Sequence, residues 1–232
     1  MQDIILEDIG LKRYGEALAY QLQHFEATKQ LKIANRTSEN PQPTTNYFFF
    51  VTHPHVYTMG KNGNLANVLI GEKDLEDKHI EFFHTNRGGD ITYHGPGQIV
   101  GYPILDLDLF KADIHQYMRA LEEVIINVLK RYGLEGERSE GETGVWLDQG
   151  KSTARKICAM GVHTSRWVTM HGFALNVNTD LQFFNYIIPC GIRNKGVTSI
   201  AKELGKTIDE TVVKQQILDE FSKVFNARFI ER

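Results

Sequence analysis

Residues 87–98 read Arg87-Gly88-Gly89-Asp90-Ile91-Thr92-Tyr93-His94-Gly95-Pro96-Gly97-Gln98. Their four glycines allow positive φ angles or a very close approach of backbone, and a proline fixes the turn between the last two. A largely apolar run, Ile99 to Leu107, follows and is typical of a strand buried in a core. The segment therefore predicts a glycine loop leading into the centre of a sheet, with polar groups from Arg87, Thr92 and His94. The alternative is a pair of hairpin turns with a buried histidine.

Composition limits the class of protein. The 232 residues predict one large domain, or a large domain with a small appendage. A content of 41% hydrophobic and 24% charged residues is typical of an ordinary globular protein. A net charge of -3 gives no argument for a nucleic-acid or membrane partner. The first residues lack the basic and apolar regions of a signal peptide, and no run is long and apolar enough to span a bilayer. Two cysteines exclude a disulfide framework, so we expect a cytoplasmic protein.

The pattern of elements predicts an α+β fold, a mixed β-sheet with flanking helices. Helical spacing of apolar residues occurs at 10–32, 114–129 and 208–225, and the last of these should begin with a capping box at Thr207–Glu210. Short apolar runs predict strands, at 47–51, 56–60, 80–83, 99–107, 144–147, 156–162 and 167–177. We expect residues 1–232 to form a single catalytic domain in which 205–232 is a carboxyl-terminal helical extension.

Cys190 and Lys156 are the candidate chemical groups. Cys190 stands between Pro189 and Gly191, a setting that presents a thiol, although a buried structural cysteine is the commoner case. Lys156 opens the strand that contains Cys158, and its ammonium group would lower the pKa of a nearby thiol. His94 and His171 could replace it as base. A zinc site built from His residues 53, 55, 79 and 84 is not favoured, because they belong to different segments and no cysteine pair has ligand spacing.

Several blocks resemble the signature of the octanoyltransferase family of lipoate biosynthesis. They are the 87–98 motif with Tyr102, Gly144-Val145-Trp146, Lys156-Ile157-x-x-Met160-Gly161-Val162, 166–178, and Ile188-Pro189-Cys190-Gly191-Ile192. They stand in the family's order over about residues 45–200, which is far more specific than one short motif. The resemblance implies the fold of biotin and lipoate-protein ligases, and transfer of an octanoyl group from acyl carrier protein to a lysine of a lipoyl domain.

The resemblance also implies residue roles. Cys190 would carry the acyl group as a thioester, and Lys156 would lower its pKa and then act as general base. The acyl site would be lined by Arg87, Gly88, Gly89, Asp90, Ile91, Thr92, Tyr93, His94, Ala159, Met160, Gly161, His171, Gly172, Phe173 and Ala174. Gly161 and Gly172 would bring backbone N–H groups close to the substrate carbonyl. Neither metal nor cofactor is implied. The implied partners are octanoyl-acyl carrier protein as donor, and the lipoyl domains of 2-oxoacid dehydrogenases and the glycine cleavage H protein as acceptors.

Three other functions remain open. An ATP-dependent lipoate- or biotin-protein ligase of the same fold would need no cysteine, and the setting of Cys190 argues against it. A non-catalytic protein that binds lipoyl domains or acyl carriers would form no covalent adduct. A cysteine hydrolase would need a His-Asp or His-Asn pair, which His171 and Asn176 do not convincingly supply.

Cys158 raises one further expectation. Side chains alternate along a strand, so Lys156 and Cys158 should point to the same face. Cys158 would then lie near Cys190 and could resolve an oxidised nucleophile as a disulfide.

Overall fold

The computed structural model describes residues 1–189 and 195–231. Its helices are α1 (Tyr14–Asn35), α2 (Glu72–Asp77), α3 (Ile114–Lys130), α4 (Ile200–Leu204) and α5 (Glu210–Phe225). Its strands are β1 (Gln2–Leu11), β2 (Asn46–Thr52), β3 (Val56–Met59), β4 (Glu81–His84), β5 (Ile91–His94), β6 (Gln98–Ile104), β7 (Glu137–Ser139), β8 (Glu142–Leu147), β9 (Arg155–Ser165), β10 (Val168–Asn176), β11 (Gly196–Val197) and β12 (Ala227–Glu231). None of the helices in the described ranges is both long and apolar enough to cross a membrane.

A mixed sheet, the main sheet, forms the body of the protein. Within the described residues its strand order is β12-β1-β2-β6-β10-β9-β8-β7, with β11 paired to β9. Strands β6 and β10 at its centre are buried along their whole length, as expected for apolar strands covered on both faces. The α+β class and the mixed sheet predicted from the sequence are confirmed.

Helices cover the two faces of the main sheet. Helices α3 and α5 pack on one face, where Leu121, Ile125, Ile217 and Phe221 are fully buried. Helix α1 covers part of the other face with Ala17 and Phe25. The predicted capping box at the start of α5 is wrong, because Asp209 is the N-cap and accepts from the N–H groups of Thr211 and Val212.

A small three-stranded sheet, in the order β4-β3-β5, lies beside α1 and carries the 87–98 motif. Loop 60–67 is bonded to this motif through backbone N–H groups of Gly60, Lys61 and Asn62, which donate to the carbonyls of Asp90, Arg87 and Gly89. The N–H of Gly88 donates to Val162 O of β9 at 2.9 Å. The motif is thereby fixed between the small sheet and the main sheet.

The two ends of the chain meet in the main sheet. Strand β1, which the sequence did not predict, pairs in parallel with β2 on one side and with β12 on the other. The expected helical extension at 205–232 is therefore only partly helical, since residues 227–231 form a strand. This pairing joins residues more than two hundred positions apart, so no local pattern could have shown it.

Candidate active site

A cleft lies between the α1-covered face of the main sheet and the small sheet. It has about 540 Å³ of empty space, a volume that includes its open mouth. Most of the residues predicted for the acyl site line it: Arg87, Gly89, Asp90, Ile91, Thr92, His94, Ala159, Met160, Gly161, His171, Gly172, Phe173 and Ala174. The predicted catalytic residue Lys156 lines it as well. Tyr14 of α1, Val100, Tyr102 and Thr143 complete the lining.

Gly88 and Tyr93 were predicted for the acyl site but do not line the cleft. Side chains alternate along β5, so Tyr93 points away from the cleft that Thr92 and His94 face. Its ring stacks on Phe183 at 5.0 Å, and its hydroxyl lies 2.7 Å from His55 Nδ1. Gly88 instead joins the motif to β9 through its N–H. Both residues therefore hold the 87–98 motif in place without contacting the space of the cleft.

Arg87 is buried and holds the motif onto β3. Its guanidinium group donates to the carbonyl of Thr58 at 2.5 Å, to Thr58 Oγ1 at 2.9 Å and to Gly88 O at 3.0 Å. Asp90 similarly fixes the rim. Its carboxylate accepts from the N–H of Asn64 at 3.1 Å and from Asn67 Nδ2 at 2.5 Å. Both charged groups therefore shape the cleft as much as they line it.

His94 is held as a neutral ring. Gln98 Nε2 donates to Tyr93 O and to Asn176 Oδ1, so Gln98 Oε1 is left as an acceptor, 2.8 Å from His94 Nδ1. The Nδ1 atom of His94 must then carry the proton. Burial lowers the pKa of His94 well below its ordinary value, and the neighbouring His53 lowers it further. His94 is consequently a poor general base.

His171 interrupts the regular ladder between β10 and β6. Its φ angle is +60°, a conformation that non-glycine residues adopt only when their surroundings require it. Pro103 of β6 has no N–H to donate, and Thr169 Oγ1 bridges the gap by donating to Pro103 O and accepting from Leu105 N. The N–H of His171 donates to Gln21 Oε1 of α1 at 3.0 Å.

The His171 imidazole lies 2% exposed in the cleft wall. Its Nε2 is 2.8 Å from Asn86 Oδ1, while Nδ1 has no hydrogen-bond partner among the described residues. Burial lowers the pKa of His171 to about 3, with a further contribution from Arg87.

Sequence reasoning found His171 but missed Gln21 and Tyr14, because α1 showed only an amphipathic pattern. A proline inside a predicted central strand was the available signal that the ladder needs a side-chain substitute.

The two glycines expected to approach the substrate also allow protein backbones to approach each other. A Cβ on Gly161 would lie 2.7 Å from Gly88 O, and one on Gly172 would lie 2.2 Å from Gly101 O. Such contacts are far inside van der Waals distance, so glycine is required at both positions by the packing of the motif and of β6.

Lys156 lines the cleft together with Ala159, three residues further along β9. Val145 of β8 pairs with Cys158, but the next residue, Trp146, pairs with Lys156. Ile157 is thus an extra residue, a β-bulge, and it reverses the alternation of side chains. Lys156 is buried, with an exposed fraction of 7%. Its Nζ lies 4.6 Å from the centre of the Trp146 ring.

The expectation that Cys158 shares the face of Lys156 is wrong because of this bulge. Cys158 is fully buried in the core covered by α3 and α5. Burial raises the pKa of its thiol strongly, so the thiol stays protonated and unreactive at neutral pH. The basis for a Cys158–Cys190 disulfide is therefore lost.

Cys190 lies outside the described residues, and so do Gly191, Ile192, Arg193 and Asn194. The flanking residues are described. Pro189 lines a small cavity that adjoins the cleft and that Lys156, Thr92 and Ala174 also line. On the other side, the N–H of Gly196 donates to Ala154 O at 2.9 Å and that of Thr198 to Lys156 O at 3.0 Å.

Two of the four histidines considered for zinc, His53 and His55, have hydrogen-bond partners of other kinds. Both ring nitrogens of His53 are engaged, Nδ1 with Lys12 O at 2.9 Å and Nε2 with the Tyr102 hydroxyl at 2.8 Å. His55 faces Tyr93, as described above. Among residues 1–189 and 195–231, no group of three or more potential ligands could hold a metal ion.

Comparison with known proteins identifies the family. Residues 16–222 match the model of the lipoyl protein ligase A/B catalytic domain. The chain is 58% identical to the octanoyltransferase of Christiangramia forsetii, covering 97% of each chain, and 59% identical to that of Flavobacterium johnsoniae, covering 98% of each. Among solved structures, a bipartite lipoate-protein ligase from Thermoplasma acidophilum has a TM-score of 0.72 at 16% identity, with 100% of this chain and 87% of that chain covered.

A lipoate-protein ligase A bound with ATP has a TM-score of 0.68 at 17% identity, with 100% of this chain and 88% of that chain covered. At such low identity these two likenesses show the fold alone, and they confirm the predicted lipoate-ligase-like fold. The family and the acyltransferase class predicted from the sequence are confirmed by the much closer relatives. The chain belongs to the octanoyltransferases, within the lipoyl protein ligase A/B catalytic domain family.

Proposed function

We propose that this protein transfers an octanoyl group from acyl carrier protein, through a thioester on Cys190, to the side-chain amine of a lysine on a lipoyl domain. The observation that carries the proposal is the identity of nearly 60% to named octanoyltransferases over almost the whole chain. Acceptors would be the lipoyl domains of 2-oxoacid dehydrogenases and the glycine cleavage H protein.

The cleft suits a medium-length acyl chain. Val100, Ile91, Ala159 and Ala174 give it an apolar lining, and the two alanines lie directly opposite each other on β9 and β10. Small side chains at this paired position leave room for a hydrocarbon chain between the two sheets. Burial of each methylene group contributes about 0.8 kcal/mol to binding.

The first half-reaction is thiol exchange. The thiolate of Cys190 attacks the carbonyl carbon of the octanoyl thioester, a new carbon–sulfur bond forms, and the bond to the carrier's sulfur breaks. The carrier leaves as a thiol after taking up the proton of the Lys156 ammonium group, which leaves Lys156 neutral for the second half-reaction. One thioester replaces another, so the step is nearly isoenergetic and needs no nucleotide. Lys156 would favour the thiolate, because a nearby ammonium group stabilises a negative sulfur.

The second half-reaction forms an amide. The acceptor lysine attacks the acyl-enzyme carbonyl as a neutral amine, its proton passes to Lys156 acting as base, and Cys190 leaves as thiolate. Conversion of a thioester to an amide is downhill. Lys156 and Pro189, the residue that precedes Cys190, line the same small cavity, and this supports the pairing of the two groups.

Intact-mass spectrometry after incubation with octanoyl-acyl carrier protein, without nucleotide, tests the proposal. The mass should rise by one octanoyl group, and Cys190→Ser should abolish both the adduct and nearly all transfer. Cys158→Ala is the matched control, since it removes the other thiol. A Cys190→Ala variant with near-normal transfer would exclude the covalent route. Transfer that requires ATP would favour a ligase, and binding without any adduct would favour a non-catalytic role.

A further inference from the structure

The floor of the cleft is built from small residues on β9 and β10. The facing alanines described above are followed, two positions away along each strand, by facing glycines, Gly161 and Gly172. A rise of about 3.3 Å per residue makes this floor roughly 7 Å long. Lys156 lies beyond the alanine end, and His171 follows the glycine end on the side away from Lys156. The floor therefore leads from the proposed base to a histidine.

Polar groups close the glycine end of the cleft. Four side chains form this end wall, line the cleft and are each more than nine-tenths buried: Tyr14, Arg87, Tyr102 and His171. Arg87 Cδ lies only 3.3 Å from where a Cβ on Gly161 would stand. The Tyr102 ring meets the His171 ring edge-on, with 6.4 Å between ring centres. The small floor thus ends abruptly at bulky polar side chains.

His171 is held in the end wall at both of its ends. Its N–H donates to Gln21, which is fully buried on α1, and its Nε2 contacts Asn86 Oδ1. Gln21 Nε2 and His171 Nδ1 have no hydrogen-bond partners among residues 1–189 and 195–231. Buried polar atoms without partners and left-handed φ angles at non-glycine residues are both rare, and they persist where the surroundings fix a residue. The His171 ring is therefore a fixed boundary of the cleft.

We propose that the His171 ring sets the upper limit on the length of the acyl chain, and that Gln21 is the positioning residue that holds it. The inference rests on the proposed function, because it assumes that the acyl carbonyl lies at the Lys156 end and that the chain follows the floor. A longer chain must displace buried groups that are hydrogen-bonded. Such groups lose their bonds when they move, unlike apolar side chains, so the limit is sharp.

Competition between octanoyl- and decanoyl-acyl carrier protein measures this limit. Wild type should favour the octanoyl donor. His171→Ala removes the ring, so kcat/KM for decanoyl relative to octanoyl should rise about tenfold, the equivalent of two newly buried methylene groups. The ratio of hexanoyl to octanoyl should stay at the wild-type value, because neither chain needs the space that the ring occupies.

His171→Gly separates the ring from the backbone. Glycine adopts a left-handed φ without strain, so this variant should unfold at a higher temperature than His171→Ala. It should admit the decanoyl donor equally well, because the ring is absent from both. His171→Gly also provides the test if His171→Ala does not fold.

Gln21 is tested through the same ratio. Gln21→Leu removes the acceptor for the His171 N–H and should raise the decanoyl-to-octanoyl ratio about threefold, the effect of one lost hydrogen bond. Gln21→Glu keeps an oxygen that accepts from this N–H and should restore the wild-type ratio. In the His171→Gly background, Gln21→Leu should leave the ratio unchanged, because no ring is left to position. A merely structural role would lower kcat/KM for both donors together.

His24 provides the matched control. It is another buried histidine ring on the sheet side of α1, and it packs against Tyr20 and Tyr47. His24→Ala should lower the unfolding temperature and leave both donor ratios at the wild-type value.

Three results would contradict these proposals. A wild-type decanoyl-to-octanoyl ratio in both His171→Ala and His171→Gly, with the octanoyl adduct still formed, would overturn this inference alone. Equal gains for hexanoyl and decanoyl donors would also overturn it, because they would show a generally loosened cleft. An adduct that persists in Cys190→Ser would overturn the proposed function.

Discussion

Lys156 and Cys158 stand two residues apart on β9 yet face opposite sides of the main sheet. The bulge at Ile157 separates them, because Trp146 pairs with Lys156 while its neighbour Val145 pairs with Cys158. The thiol of Cys158 therefore lies in the core, and Lys156 lies in the cleft. The bulge thus assigns Cys158 to packing and leaves Lys156 for the chemistry.

Cys158→Ala should therefore retain acyl transfer and cost about 1 kcal/mol of unfolding free energy, the usual effect of removing one heavy atom from a packed core. Urea unfolding and a transfer assay measure the two effects. We also expect peroxide to inactivate wild type and Cys158→Ala alike, because Cys158 does not face the cleft. Recovery on thiol reduction in wild type only would show that the two cysteines do meet.

Lys156→Ala should raise the pH midpoint of Cys190 alkylation and slow amine attack on the acyl-enzyme by roughly 10²-fold or more, the range for loss of a general base. Lys156→Arg should restore the alkylation profile but not the second half-reaction, since arginine keeps its proton. Stopped-flow acylation and deacylation separate the two steps. Alkylation profiles that coincide for wild type and Lys156→Ala would remove Lys156 from the mechanism.

The facing alanines on β9 and β10 should limit the length of the acyl chain. Ala174→Val adds two methyl-sized groups to the cleft floor, so preference for octanoyl over butanoyl donors should fall about tenfold, the equivalent of two methylenes. Competition between the two acyl donors gives the ratio directly. Ala120→Val on α3 is the control and should leave the ratio unchanged. An unaltered ratio in Ala174→Val would place the acyl chain elsewhere.

The sequence was informative where a local pattern carries the structure. Glycines and a proline marked the 87–98 loop, and helical spacing marked α3 with an error of one residue. The predicted site was incomplete wherever a residue distant in the sequence determines the backbone conformation. The left-handed φ of His171 depends on Pro103 and on Gln21 of α1, and the bulge at Ile157 depends on β8. The bulge leaves no trace in the local order of side chains, and the sign of the interrupted ladder at His171 is a proline in a different strand, Pro103.

Charge assignments were the least predictable from sequence. The basic residues that the sequence offers for docking an acidic carrier protein are Lys61, Arg155, Arg166, Arg193 and Lys195. The structure pairs Arg155 with Asp148 and Glu203 and Lys195 with Glu142, while Arg193 lies outside the described residues. Among the residues with described side chains, neither Lys61 nor Arg166 forms an ion pair. Composition cannot distinguish these cases, because each depends on which carboxylate the fold brings near.

Lys61 therefore remains the best candidate for carrier docking, since its N–H is bonded to Arg87 O at the edge of the cleft. We expect kcat/KM for octanoyl-acyl carrier protein to fall as ionic strength rises, mainly through the encounter rate. Lys61→Gln should weaken that dependence, and a small octanoyl thioester should show none. Lys73→Gln on α2 is the control. A flat salt profile for the carrier would contradict electrostatic docking.

Acid should destabilise the fold through its buried neutral histidines. Burial lowers the pKa of His53 from 6.5 to about 4, whereas the unfolded chain takes up that proton near pH 6.5. The stability from keeping His53 neutral is complete above pH 6.5 and is lost as the pH falls toward 4, at ~1.4 kcal/mol per pH unit. The lowered pKa values of His171 and His94 also make the free energy of unfolding fall as the pH decreases. Urea unfolding at pH 7 and pH 5 should show His53→Gln to be less pH-sensitive than wild type, with the exposed His115→Gln as control. Equal pH sensitivity in His53→Gln and wild type would mean that the His53 ring is charged in the native protein.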